Sequence, residues 1–86
     1  MSAREARKQI LDVLAGLELV TAEQRKHLLE EPAQDIELAQ LGIDSMKIVD
    51  LCVGLEEQVG REIEVEELIE NPTVNRLADH FARERV

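Results

Sequence analysis

The stretch GIDSMKIVDLCVGLEEQVG, residues 42–60, decides how this chain folds. Gly42 permits a sharp turn into a helix at Ser45, and Gly60 is its stop signal. At about 100° per residue, Ile48, Cys52, Leu55 and Val59 fall on one narrow stripe, the expected core face. Met46, Val49 and Val53 form a second stripe roughly 140° away around the helix, with Asp50 and Glu57 beside it. One helix of a small domain does not bury both faces, so the second stripe is expected to stay exposed. An apolar strip rimmed by carboxylates is a docking surface. The alternative is that the loop at 33–43 folds over it.

Outward from this helix the pattern remains helical. Ala6, Ile10, Val13, Leu14 and Leu17 recur at spacings of three and four and predict a helix over 3–18. Thr21 with Gln24 fits a capping box for a short helix over 22–30, stopped by Pro32. Residues 33–44 read as a loop with apolar pegs at Ile36, Leu38, Leu41 and Ile43. A helical piece over 65–69 precedes the Asn71-Pro72 break. Thr73 caps a last helix over 74–84, with Val74, Leu77, Ala78, Phe81 and Arg85 on one side. Nothing alternates with period two for long enough to make a strand. The expected fold is all-α: a small four-helix bundle with three main helices and a short third helix, one domain over 1–86 with its core at about 3–84. Its core should hold Ile10, Leu14, Leu17, Ile48, Leu55, Ile63, Leu68, Leu77 and Phe81.

Composition narrows the function. Nineteen acidic against ten basic residues give −9 at neutral pH. That charge repels nucleic-acid phosphates and anionic lipid headgroups, and no apolar run approaches the ~20 residues that span a bilayer. Residues 30–70 hold thirteen of the acids and only Lys47 and Arg61 as bases, so the acid is concentrated mid-chain and invites basic protein partners. Cys52 stands alone, so neither a disulfide nor a multi-cysteine zinc site is available.

Hydroxyl groups are scarce: Ser2, Thr21, Ser45 and Thr73, with no tyrosine. Ser2 reads as part of a frayed end, and the threonines are spent as caps. Ser45 is left over, because Asp44 before it is itself a good cap. The amides and dipole of the helix start are expected to favour a phosphate attached there. His27 and His80 are far from Ser45 in sequence and read as solvated surface, so no nucleophile–base pair is expected. The segment DIELAQLGIDSM lacks the glycine and glutamate of a calcium hand, and no metal site is expected.

The string LGIDSMKIVDLCVGLEEQVGREI resembles the acyl carrier protein signature, in which L-G-x-D-S-L opens the second helix. Leu41, Gly42, Asp44, Ser45, Val49, Leu51, Leu55, Glu56, Glu57 and Ile63 match it, and Asp50 stands where the family commonly has glutamate. The later NPTV, residues 71–74, is similar to carriers of polyketide and nonribosomal-peptide systems. The resemblance implies a non-catalytic cytoplasmic carrier, a monomer, whose Ser45 receives 4′-phosphopantetheine from coenzyme A through a phosphopantetheinyl transferase. It implies cargo held as a thioester and presented to loading ligases or transferases and synthase enzymes. Docking would fall to Asp44, Met46, Lys47, Val49, Asp50, Val53 and Glu57.

Three departures shape the expected cargo. Met46 replaces the usual leucine, Lys47 stands where fatty-acid carriers often have an acid, and Val59 replaces a common phenylalanine. Asp44 precedes the serine where many peptidyl carriers have histidine. An acyl or polyketide cargo in a specialised pathway is therefore expected first, and an aminoacyl cargo second. The start at Met1 favours a freestanding carrier over an excised module. The reading from a different class is a helical adaptor that docks a basic partner and carries no arm.

Overall fold

A computed structural model describes residues 2–84. Five α-helices follow in order: α1 (Ala3–Gly16), α2 (Ala22–Glu30), α3 (Ser45–Val59), α4 (Val65–Glu70) and α5 (Val74–Arg83). The expected all-α bundle is what forms; among the described residues the only extended pairing is an isolated antiparallel bridge between Glu37 and Thr73.

Capping sets most boundaries. Thr21 and Gln24 form the reciprocal capping box at α2, and Thr73 accepts the Arg76 amide at 3.1 Å. Ser2 corrects its expected frayed end: its hydroxyl accepts the Glu5 amide at 3.1 Å and caps α1. The first helix ends at Gly16, two residues earlier than expected. Glu18 takes a left-handed conformation at φ 60°, donating to the Ala15 carbonyl while Leu19 donates to Leu14. These two bonds close a Schellman turn, with glutamate in the place glycine usually takes. The expected loop over 33–44 contains a 3₁₀ turn at Leu38–Leu41, pinned where Leu38 donates to the Pro72 carbonyl at 2.9 Å. Arg85, placed on the last helix's apolar side, lies outside the described residues.

The core forms where α1 packs against α5, α3 and α2. Ile10, Leu11, Leu14, Leu51, Leu55, Leu77 and Val74 are the largest fully buried side chains. Each contributes roughly 1.5–3 kcal/mol by leaving water, far more than an exposed ion pair. Of the expected core, Leu17 and Ile48 are corrections: they are half-buried and pack against the core from outside. The buried arc of α3 is turned toward Leu51, because α1 lies close on that side. A Cβ added at Gly54 would stand 2.6 Å from Val13 Cγ1, so glycine is what lets the two helices meet there.

Sequence reading passed over Arg7, which is only 7% exposed. Its guanidinium donates to Asn75 Oδ1 at 2.7 Å, to the Gln34 carbonyl at 2.7 Å and to the Leu28 carbonyl. One buried cation therefore ties the end of α2 and the following loop to α1 and α5, satisfying carbonyls that the helix leaves unpaired. Burial pushes the Arg7 pKa down, and Asp35 opposes that shift. The available signal was its place one turn before Leu11 and two before Leu14, in the apolar row.

Candidate functional site

The turn at Gly42 adopts φ 69°, a left-handed conformation that directs the chain into α3. Asp44 is the N-cap, and its carboxylate accepts the Met46 amide at 3.1 Å and the Lys47 amide at 2.8 Å. Ser45, first residue of the helix, is exposed, and its hydroxyl makes no hydrogen bond among the described residues. The contrast with the other hydroxyls is complete, since Ser2, Thr21 and Thr73 each accept a backbone amide. One expectation changes. The Met46 and Lys47 amides are taken by Asp44, so they do not cradle a phosphate at Ser45. A phosphodiester there would stand in solvent, favoured only by the helix dipole, and this leaves an attached arm free to swing.

The second stripe of α3 is open. Met46 is 77% exposed, Val49 55% and Val53 49%, and the loop over 33–43 does not cover them. Asp50 and Glu57 are exposed beside them, whereas Lys47 is half-buried. On another side, an apolar groove of about 250 Å³ runs between α3, α4 and the 3₁₀ turn. Ile43 and Ile48, which flank Ser45 in sequence, line it together with Leu51, Leu68, Ile69 and Pro72. A broader depression of about 910 Å³ lies between α1, α5 and the end of α2, lined by Arg4, Lys8, Glu30 and Asp79 among others. Its lining carries charges of both signs, and none of its lining residues belongs to the signature.

The remaining ionisable groups form a separate cluster. His80 was expected to be solvated; instead it is half-buried, with Nε2 at 2.8 Å from Glu67 Oε1 and 3.2 Å from Glu84 Oε1. Donor atoms of these three residues lie within 4.8 Å of one another. Arg61 already binds both carboxylates, so the cluster reads as an ion-paired knot. The Arg61 hydrogen bonds hold the Glu67 carboxyl well down, at about 2, against partial burial. Cys52 is buried, and desolvation with nearby Glu56 raises its thiol pKa, which leaves it a poor nucleophile. His27 is exposed on α2.

Residues 10–81 match the family of phosphopantetheine attachment sites. No curated protein and no solved structure matches the chain. A match over most of its length places the chain in that family of carrier proteins, whose domain is the site of covalent 4′-phosphopantetheine attachment. The residues fit the group, since a free, exposed hydroxyl stands at the head of a capped helix with no side chain over it. Bound there, the group supplies a thiol on a long flexible arm. Among the described residues, no helix is long and apolar enough to cross a membrane.

Proposed function

We propose that Ser45 is the attachment point and that the protein carries acyl or polyketide-type intermediates as thioesters. The observation that carries the assignment is the free Ser45 hydroxyl, when the other three hydroxyl side chains are committed to helix caps. The test is intact mass after incubation with a broad-specificity phosphopantetheinyl transferase, magnesium and coenzyme A. The wild type should gain one arm. Ser45→Ala should fold normally, because Asp44 still caps α3, and gain nothing. An arm on that variant would sink the assignment, and no arm on the wild type would leave the helical adaptor.

Asp44 before the serine and the apolar groove beside it favour acyl or polyketide cargo; the NPTV segment keeps aminoacyl cargo as the second reading. The chain itself catalyses nothing in this reading: it is a cytoplasmic monomer handled by a transferase, loading ligases and synthases. Met46, Val49 and Val53 supply apolar contact, while Asp44, Asp50 and Glu57 attract Lys or Arg on the enzyme. Lys47 acts as a selector, repelling a basic patch built for an acid at that position. Lys47→Glu should improve acceptance by fatty-acid synthase enzymes and impair acceptance by the native partner. Unchanged kinetics with both enzyme classes would make Lys47 ordinary surface.

A further inference from the structure

We infer that Glu67, His80 and Glu84 form an exchangeable cation site, which Arg61 fills in the resting protein and which a zinc ion takes by displacing it. The donor set suits such an ion. His80 and Glu84 stand one turn apart at the end of α5, and Glu67 reaches them from α4. His80 Nε2 is 2.8 Å from Glu67 Oε1 and 3.2 Å from Glu84 Oε1. Ligand atoms bound tetrahedrally to zinc at about 2.1 Å lie about 3.4 Å from one another, so a small widening admits the ion. The Glu67 carboxylate is already aimed. Its Oε2 accepts the Glu64 amide at the α4 cap at 2.9 Å, which leaves Oε1 toward His80. A hydrogen bond of this kind orients a metal ligand.

A cation already occupies the point where the ion would stand. Arg61 Nη2 bonds Glu67 Oε1 at 2.6 Å and also Glu84 Oε1, the same two oxygens that face His80. Two carboxylates meet this one guanidinium, so the cluster keeps an unmatched negative charge. Exposed Glu62, Glu64, Glu66 and Glu70, on α4 and just before it, add to the field. A divalent ion supplies the second positive charge that the guanidinium lacks. Its route in is open, because the Arg61 side chain is 33% exposed and that of Glu84 43%. Arg61 turns into solvent, and the ion takes the three side chains with water in the fourth position. An imidazole nitrogen among the donors selects zinc over magnesium, which prefers oxygen ligands alone. The site does not depend on the carrier reading.

The test is a titration of the full chain, without the arm, with zinc chloride, read by calorimetry and by NMR of the two histidine rings. The wild type should bind one equivalent. The His80 ring signals should shift, while those of His27, exposed on α2, stay in place. His80→Ala and Glu84→Gln should each weaken binding about tenfold or more. Arg61→Met should tighten it about tenfold, because the competing guanidinium is gone. Arg61→Lys keeps the charge without the fork and should tighten it less, and it replaces Arg61→Met should that variant fail to fold. Magnesium at the same concentration should leave the His80 signals unmoved. Absence of binding would overturn the site. So would an affinity unchanged in both His80→Ala and Glu84→Gln, which would mean adsorption to the acidic surface. An affinity no tighter once Arg61 is replaced would refute the exchange.

Discussion

The two ends of this molecule are built on opposite plans. Where α1, α2 and α5 meet, even a charged residue is drawn inside, and Arg7 satisfies carbonyls from three places along the chain. Where α3 and α4 meet solvent, large apolar side chains are left outside: Met46, Val49, Val53 and Ile69. The first end spends its side chains on holding the fold. The second leaves them available, and it carries Ser45. A carrier needs this division, because a surface met by successive enzymes cannot also be the surface that keeps the domain folded.

The comparison breaks most directly at Arg7. Arg7→Met should cost about 3 kcal/mol in urea unfolding, because it strands several buried or half-buried carbonyls and Asn75 at once. A cost below about 1 kcal/mol would mean that the buried guanidinium is not what joins α2 to α1 and α5. Acid tests the α4 knot next. In the folded protein Glu67 stays ionised down to about pH 2, against an ordinary value of 4.5 when unfolded. Its contribution is therefore complete above about pH 4.5 and is lost as pH falls through 2. After allowance for partial solvent screening this amounts to roughly 2 kcal/mol, read as the difference between wild type and Glu67→Gln across that window. The exposed stripe should show the smallest effect on stability. Val53→Asp should shift unfolding by no more than about 0.5 kcal/mol yet weaken enzyme docking more than Asp50→Asn does. Raising salt should slow association, since screening acts over about 10 Å at 0.1 M. If Val53→Asp unfolds the protein, the stripe belongs to the core and the division is wrong.

Much of this was legible in the chain, and for local reasons. Caps act within three residues, so Thr21, Asp44 and Thr73 announced their helices. The two stripes of α3 follow from helical periodicity, which let the exposed face and the freedom of Ser45 be read before any packing was known. The same locality explains the errors. Glu18 in a left-handed turn looks like any surface glutamate, because its conformation is imposed by carbonyls of the preceding turn. Leu17 and Ile48 are as apolar as core residues and miss the centre only because the neighbouring helices sit elsewhere.

Local sequence was enough for the all-α class, the order of the elements, the acidic middle and the capping threonines, whereas Ser2 joined the caps, leaving Ser45 the one free hydroxyl, only in the folded chain. Periodicity, capping and charge count are properties of neighbouring residues, and they need no partner from elsewhere in the chain. Only tertiary structure decided that Arg7 is buried, that Gly54 sets the α1–α3 approach and that His80 meets Glu67 across thirteen positions. Each of these depends on side chains far apart in sequence arriving within a few ångströms, and the crossing of the helices alone decides which ones do.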